Sequence, residues 1–184
     1  MNFERVPVDF DVNPLLGQLE EHPELWNENP ERKYAPDTPH AEMSDIWLRF
    51  RPKAELTERK HYGEPHIPVW YPARRFLPAA EAICLNLMAQ FRAVQLGGVL
   101  ITKIPPGGRI LPHNDRGRWH PEFFNGKAYV PVKSNAGCLN ICEKDVINMK
   151  AGECWTFNNL KEHSVENNGT EDRITLIVCM RVEP

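Results

Sequence analysis

The sequence predicts a mainly β protein with flanking helices, and three observations support that fold class. Beyond Gly98, apolar and polar residues alternate over short runs, which is the periodicity of half-buried strands. Turn segments rich in Gly, Pro and Asn separate these runs at regular spacing, as in β-sandwiches and barrels. Before Gly98 the chain is largely loop-like, and a single long apolar segment there favours a helix.

The N-terminal part of the chain predicts a short helix and one strand. Asn13 is a suitable N-cap residue and Pro14 suits the first helical position, so a helix is expected to begin there. Residues 46–50 alternate between apolar and polar side chains, which indicates a strand. The other residues before about position 72 are rich in Pro and charge and predict loops. His40, His61 and His66 lie in these loops and are expected to be surface residues.

A broad apolar face from about residue 78 to residue 96 predicts the long helix, and Gly97 with Gly98 is expected to end it. Seven short strands are predicted after it, over residues 99–104, 128–132, 138–142, 145–149, 154–157, 163–166 and 174–181. The sequence therefore predicts one domain over residues 1–184. In this domain residues 1–97 form an N-terminal flank and residues 98–184 form a β-structured core.

Composition and charge disfavour several classes of protein. The chain has 184 residues, of which 41% are hydrophobic and 26% charged, as in ordinary globular domains. Its formal net charge of −3 provides no basic surface, so a nucleic-acid partner is not expected. No apolar run is long enough to span a membrane, and the N-terminus does not have the pattern of a secretory signal. The five cysteines are expected to be buried reduced thiols, which favours a cytoplasmic location.

The pattern most informative about function is the pair His113 and Asp115 with a distant His163. Two imidazoles and one carboxylate form the facial triad that binds Fe(II) and leaves the remaining coordination positions open. His113 and Asp115 are two residues apart, so an extended segment places both side chains on the same face. A lone histidine is more often an ordinary core or surface residue. The combination of all three in a β-rich region favours an iron site.

Arg173 follows His163 at the start of the last predicted strand. Taken alone it would suit a surface position equally well. A buried arginine, however, requires an acidic partner, and its planar guanidinium group suits a bidentate carboxylate. 2-Oxoglutarate carries such a carboxylate at its far end and a keto-acid group that can chelate iron at the other. The sequence therefore favours an oxygenase that uses Fe(II), 2-oxoglutarate and O₂.

Two segments carry a family resemblance: IPPGGRILPH at residues 104–113 and MKAGECWTFNN at residues 149–159. Together with His163, Asn167 and Arg173 they are similar to the aspartyl/asparaginyl β-hydroxylase family of Fe(II)/2-oxoglutarate dioxygenases. The segment PHAEMSDIWLR at residues 39–49 resembles the N-terminal flank of small members. The resemblance implies a double-stranded β-helix, a cupin-like jelly roll, as the catalytic core over residues 98–184.

The resemblance also implies roles for individual residues. His113 and His163 are the implied iron ligands, and Asp115 supplies the carboxylate that the vertebrate member of the family lacks at this position. Arg173 is the implied partner of the distal carboxylate of 2-oxoglutarate, and Thr102 falls where the family places a hydroxyl that assists it.

At two further positions the chain departs from the family pattern. Lys127 and Tyr129 stand where relatives carry an arginine and a histidine that contact the co-substrate. Lysine keeps the charge without the planar fork, and tyrosine keeps one hydrogen-bonding group. Both residues are therefore expected to contact 2-oxoglutarate.

The expected reaction is hydroxylation of a free amino acid, a peptidyl side chain or another small polar substrate, with succinate and CO₂ as co-products. Candidate residues for lining a pocket for an anionic or amino-acid group are Arg109, Arg118, Trp119 and Trp47. The alternative is a non-catalytic cupin module that binds a metal or a small ligand. Arg173 argues against that alternative, because a passive binder does not need a co-substrate anchor.

Overall fold

The computed structural model describes residues 1–183, and their fold consists of two antiparallel β-sheets with helices packed on one of them. The strands are β1 (Phe3–Asp9), β2 (Ser44–Phe50), β3 (Val69–Trp70), β4 (Ala93–Ile104), β5 (Arg109–His113), β6 (Gly126–Lys133), β7 (Cys138–Cys142), β8 (Asp145–Ile147), β9 (Glu153–Phe157), β10 (His163–Asn167) and β11 (Arg173–Val182). The larger sheet has the order β1-β9-β6-β11-β4-β2-β3, and the smaller sheet has the order β5-β10-β7-β8. The predicted mainly β class with flanking helices is confirmed.

The helices are α1 (Asn13–Glu21), α2 (Glu31–Tyr34), α3 (Pro78–Gln90) and α4 (Trp119–Phe123), with short 3₁₀ turns at Pro23–Leu25, Lys53–Glu55, Arg59–Tyr62 and Pro72–Arg75. Within residues 1–183, none of the helices has the length and apolar character needed to cross a membrane. All five cysteines are buried, and each has a free thiol.

Strand alternation gives the larger sheet two different faces, and the difference positions the functional residues. Ile174 and Leu176 of β11 are buried in the main apolar cluster with residues of α1 and α3. Because successive side chains of a strand point to opposite faces, Arg173 and Thr175 point away from the helices. The guanidinium group of Arg173 reaches Asn140 of β7 in the smaller sheet. The polar residues of β11 therefore lie in the space between the two sheets.

The predicted long helix is shorter than expected. α3 begins at Pro78, as predicted, but it ends at Gln90 and not near residue 96. Arg92 has a left-handed backbone conformation with φ of 48°, which interrupts the helical path. From Ala93 onward the chain pairs with β11, where Ala93 lies opposite Val182. The apolar residues of this segment suit a helix and a strand equally, and the long partner strand β11 decides between the two.

Four smaller differences concern the start of α1, the strands β1 and β5, and the boundary of the N-terminal flank. The N-cap of α1 is Val12 and not Asn13, whose backbone N–H is bound by the carboxylate of Asp11 at 3.1 Å. β1 was not predicted because its residues mix charge with proline, yet it pairs with β9 along the edge of the larger sheet. β5 was not predicted either, although it carries His113. Residue 97, the expected boundary of the flank, falls inside β4.

Candidate metal and co-substrate site

His113 and His163 lie side by side in the smaller sheet. His113 is the last residue of β5 and His163 the first of β10, and the two residues are opposite partners in the antiparallel pair. Their ring centroids are 4.4 Å apart. The side chain of His113 is 18% exposed and His163 is buried. The ring of His163 also packs on Phe157 of β9, with centroids 5.1 Å apart, so it faces the larger sheet.

A hydrogen bond from Nδ1 to a backbone carbonyl oxygen fixes the orientation of each ring. The Nδ1 atom of His113 lies 2.8 Å from the carbonyl oxygen of Leu111, and the Nδ1 atom of His163 lies 2.9 Å from that of Lys161. A carbonyl oxygen only accepts, so each Nδ1 carries the proton and each Nε2 keeps its lone pair for a metal. Burial lowers the pKa of both histidines, that of His163 to about 4, which keeps the rings neutral at pH 7.

Asp115 completes the cluster from the loop after β5. Its Oδ2 atom accepts hydrogen bonds from Lys127 Nζ and from Asn159 Nδ2, both at 2.8 Å. Its Oδ1 atom carries neither of these bonds and lies 3.9 Å from His113 Nε2. Burial opposes ionisation of this carboxyl, but Lys127 and then Asn159 hold its pKa below the ordinary value. One oxygen is thus held by the protein, while the other faces the histidines.

The three residues fit an Fe(II) ion. One ligand atom from each of His113, Asp115 and His163 can be chosen such that all three lie within 4.8 Å of one another. Two imidazole nitrogens and one carboxylate oxygen are the donor set of non-haem Fe(II) oxygenases. The Nδ1–H bonds to backbone carbonyls are the outer hydrogen bonds by which metal-binding histidines are usually oriented.

Arg173 lies deeper between the sheets, with 3% of its surface exposed. Its Nη2 atom donates a hydrogen bond of 2.7 Å to Asn140 Oδ1, which is a neutral partner. Burial lowers the pKa of Arg173 to about 10, so the group remains a cation at neutral pH. A buried cation without a carboxylate partner among residues 1–183 is costly unless a ligand supplies the anion.

Two threonine hydroxyls lie on the same face of the larger sheet as Arg173. Thr102 of β4 and Thr175 of β11 are directly opposite each other, and both are buried. Within residues 1–183 neither hydroxyl has a hydrogen-bond partner. Buried hydroxyls are normally satisfied, so these two unpaired groups beside a buried cation fit the oxygens of a bound carboxylate.

The structure gives Lys127 and Tyr129 specific partners. Lys127 binds Asp115, and burial opposes its charge, but Tyr129 and Asp115 raise its pKa above the ordinary value. Tyr129 is buried and stacks on Phe157, with ring centroids 4.6 Å apart. Both residues lie on β6 next to the metal cluster, and their expected contact with 2-oxoglutarate stays a prediction.

The four candidate substrate residues differ in their exposure and in their partners. Trp47 is buried, and its ring packs edge-on against Phe50 with ring centroids 5.0 Å apart. Trp119 stacks on Phe123 with ring centroids 4.6 Å apart. Arg109 and Arg118 are exposed, and Arg109 lies 3.7 Å from the carboxylate of Glu42. The role of these four residues in substrate binding stays a prediction.

Sequence reasoning missed polar residues before Gly98 that are buried or half-buried, one of which packs on a residue of the metal cluster. The ring of His40 is half-buried and its centroid is 4.9 Å from that of His113, so the expected surface position of His40 is wrong. His66 is also buried, against Phe50 and His120. Arg32 binds the buried carboxylate of Asp45. Of these residues, only His40 and Asp45 lie in the segment 39–49, whose resemblance does not specify contacts.

Comparison with solved structures defines the class of fold. A 2OG-Fe(II) oxygenase family protein from Burkholderia pseudomallei has 16% identity and a TM-score of 0.57, covering 98% of this chain and 84% of that one. The viral collagen prolyl hydroxylase of Paramecium bursaria Chlorella virus-1, solved as a 2-oxoglutarate complex, has 10% identity and a TM-score of 0.53, covering 100% and 97%. A prolyl-4-hydroxylase from Pseudomonas putida has 12% identity and a TM-score of 0.50, covering 100% and 94%. The predicted jelly-roll fold is confirmed by these likenesses.

The family is identified by sequence. The family profile described as aspartyl/asparaginyl β-hydroxylase matches residues 27–182, which is most of the chain, and the protein belongs to this family. Among curated proteins, none matches the sequence significantly. The chain is therefore an Fe(II)- and 2-oxoglutarate-dependent oxygenase that uses O₂, as predicted, and the His-Asp-His cluster provides a matching metal site.

Proposed function

We propose that the protein hydroxylates a free amino acid, a peptidyl side chain or another small polar substrate, with His113, Asp115 and His163 as the iron ligands. The observation that carries this proposal is that hydrogen bonds within the protein already orient all three side chains. Both histidines have Nδ1 engaged by backbone carbonyls, and Asp115 has one oxygen held by Lys127 and Asn159. Fe(II) bound there, with 2-oxoglutarate and O₂, supplies the oxidising chemistry that yields succinate, CO₂ and the hydroxylated product.

The remaining polar residues between the sheets are proposed to bind the co-substrate. Arg173 binds the distal carboxylate of 2-oxoglutarate, and Thr102 donates to the same group. Thr175 joins this set because its hydroxyl is equally buried and unpaired. Tyr129 and Phe157 line the apolar side of the space next to His163 and exclude water from it. Lys127 orients Asp115 and is proposed to contact the co-substrate as well.

The two parts of the chain are proposed to act as one domain. The proposed iron ligands and Arg173 all belong to residues 98–184, whereas residues 1–97 supply His40, which packs on His113, and Asp45, which lies opposite Thr102. Pairing of β1 with β9 and of β2 with β4 in one sheet supports a single unit. The five free thiols support a reducing compartment such as the cytoplasm. The formal net charge of −3 favours a small-molecule or peptide substrate over nucleic acid.

The test is product analysis under ¹⁸O₂. The Fe(II)-loaded protein is incubated with 2-oxoglutarate and mixtures of free L-amino acids or short peptides, and both succinate and oxygenated products are measured. We expect one mixture to yield a product that carries one ¹⁸O atom, in equal amount to the succinate formed above the substrate-free rate. Succinate formation without any oxygenated product in all mixtures would exclude these substrate classes.

A further inference from the structure

A segment of the N-terminal part of the chain folds against the edge of the metal cluster. The carbonyl oxygen of Pro39 accepts a hydrogen bond of 2.9 Å from the backbone N–H of Leu111, two residues before His113. The hydroxyl of Thr38 donates to the carbonyl oxygen of Arg32 at 2.6 Å. These bonds tie the short helix α2, which carries Arg32, to the strand that carries the first metal ligand.

Asp45 orients the guanidinium group of Arg32. The Nη1 atom of Arg32 lies 3.3 Å and 3.2 Å from the two carboxylate oxygens of Asp45. Asp45 is buried, while the side chain of Arg32 keeps 23% of its surface exposed. In the described part of the chain no hydrogen bond engages Nε or Nη2 of Arg32. The guanidinium group is therefore held through one nitrogen and retains free donors for a second anion.

The surroundings of Arg32 place it beside the reaction centre. Asp45 alternates with Ile46, which faces the helices, so Asp45 points toward the space between the sheets. His40 follows Arg32 in the same segment, and its ring packs on His113. The hydroxyl of Thr38, which donates to the carbonyl oxygen of Arg32, also lies 3.5 Å from His40 Nδ1. These contacts join Arg32, through His40, to the metal ligand His113.

The other two cations of the site have other assignments. Lys127 is paired with Asp115, and Arg173 is proposed to bind the distal carboxylate of 2-oxoglutarate. Arg32 is thus left as a cation with free donors at the edge of the cluster. A planar guanidinium group with two adjacent free nitrogens is suited to a carboxylate.

We infer that Arg32 binds a carboxylate of the primary substrate, with Asp45 as its positioning residue, so that the substrate is a carboxylate-bearing molecule such as a free amino acid or an acidic side chain. This inference rests on the proposed function of the same site. It assigns the substrate anchor to the N-terminal segment and not to the exposed Arg109 or Arg118.

The test compares acids with their amides in the wild-type protein and in four variants. The probes are free L-amino acids, each compared with its carboxamide, and acidic peptides, each compared with its amidated form. Dicarboxylates that resemble succinate are left out of the panel. The variants are Arg32→Gln, Arg32→Lys, the double variant Arg32→Gln/Asp45→Asn, and the control Lys33→Gln on the same helix. Two quantities are measured: stimulation of succinate formation, and the visible charge-transfer band of Fe(II)-bound 2-oxoglutarate without O₂.

We expect at least one acid, but not its amide, to stimulate succinate formation by the wild-type protein and by Lys33→Gln. Arg32→Gln is expected to lower kcat/KM for that acid by about tenfold or more while the band without substrate is unchanged. Arg32→Lys is expected to retain part of the wild-type kcat/KM, because lysine keeps the charge. The loss of the planar fork accounts for the remaining decrease. The double variant leaves no unpaired carboxylate, so its loss of activity is not attributable to a buried charge at Asp45.

The opposite outcomes overturn the inference. Equal stimulation by amides, no stimulation by any acid, or unchanged kcat/KM in Arg32→Gln each exclude Arg32 as the substrate anchor. Loss of the charge-transfer band in Arg32→Gln assigns the residue to 2-oxoglutarate instead. Absence of the band in the wild-type protein is a different result, because it contradicts the proposed function itself.

Discussion

Lys127 Nζ lies 2.8 Å from Asp115 Oδ2, on the carboxylate oxygen that is also bound by Asn159. The other oxygen, Oδ1, is the one nearer to His113 Nε2. The protein thus engages half of the carboxylate and leaves the other half for one metal bond. Asp115 is therefore expected to be a monodentate ligand whose direction is set by Lys127.

The first prediction concerns this orientation. Lys127→Met is expected to weaken Fe(II) binding by about 10- to 100-fold, as losses of outer hydrogen bonds to metal ligands commonly do. The dissociation constant is measured by anaerobic competition with a chelator. Lys133→Met, on the same strand and paired with Glu171 at 3.7 Å, serves as the matched control. Unchanged Fe(II) binding by Lys127→Met would contradict this orienting role, and tighter binding would show that Lys127 competes with the metal for Asp115.

The second prediction concerns the ligand on β10. His163→Ala removes one of the three ligand atoms and is expected to abolish stoichiometric Fe(II) binding together with succinate formation. His22→Ala is the control, because His22 interacts with Glu24 outside the site. Full succinate formation by His163→Ala would remove this residue from the metal site.

The third prediction uses the unpaired hydroxyl of Thr102. Thr102→Val keeps the shape of the side chain and removes a group that has no partner within residues 1–183. The free energy of unfolding without ligand is therefore expected to be unchanged or raised, while the KM for 2-oxoglutarate increases. Chemical denaturation and steady-state kinetics measure the two effects. A KM equal to that of the wild-type protein would show that the hydroxyl does not reach the co-substrate.

The fourth prediction concerns Arg173. Arg173→Ala is expected to raise the KM for 2-oxoglutarate by roughly 10- to 100-fold, because a charge-assisted pair with the distal carboxylate is lost. The KM of Arg173→Lys for 2-oxoglutarate should lie between those of the wild-type protein and Arg173→Ala, since lysine keeps the charge without the planar fork. A mutant whose kcat falls while its KM for 2-oxoglutarate is unchanged would assign Arg173 another role.

The fifth prediction concerns the end of α3. Arg92 has φ of 48°, a conformation that glycine adopts without steric cost. Arg92→Gly is expected to leave the free energy of unfolding unchanged or to raise it by up to about 1 kcal/mol, whereas Arg92→Val lowers it. Urea denaturation of both variants measures the difference. Similar stabilities for the glycine and valine variants would contradict the left-handed turn.

The fold class and the pair His113 and Asp115 were predictable because their signals are local, whereas the distant His163 was assigned from the combined pattern and the family resemblance. Strand alternation shows directly in the sequence after Gly98, and His113 and Asp115 lie within three consecutive residues. The end of α3 was not predictable, because the segment after Arg92 suits either structure and only its pairing with β11 decides. Local periodicity contains no information about such distant partners.

The contacts around the triad were less predictable than the triad itself. The pairing of Lys127 with Asp115 depends on β6 facing the loop after β5, and the approach of Arg32 depends on a bond between Pro39 and Leu111. Lys127 and Asp115 belong to different segments, and Pro39 and Leu111 are far apart in sequence. A loop arginine or a loop histidine such as His40 has no periodic pattern that would distinguish it from a solvent-exposed residue.

The measurement that tests the central claim most directly is anaerobic titration of the metal-free protein with Fe(II) and 2-oxoglutarate. We expect a visible metal-to-ligand charge-transfer band that saturates at one Fe(II) per chain, is absent in His163→Ala and disappears on admission of O₂ with formation of succinate. Bound Fe(II) without the band, and without 2-oxoglutarate binding, would contradict the assignment of His113, Asp115, His163 and Arg173 to an oxygenase site.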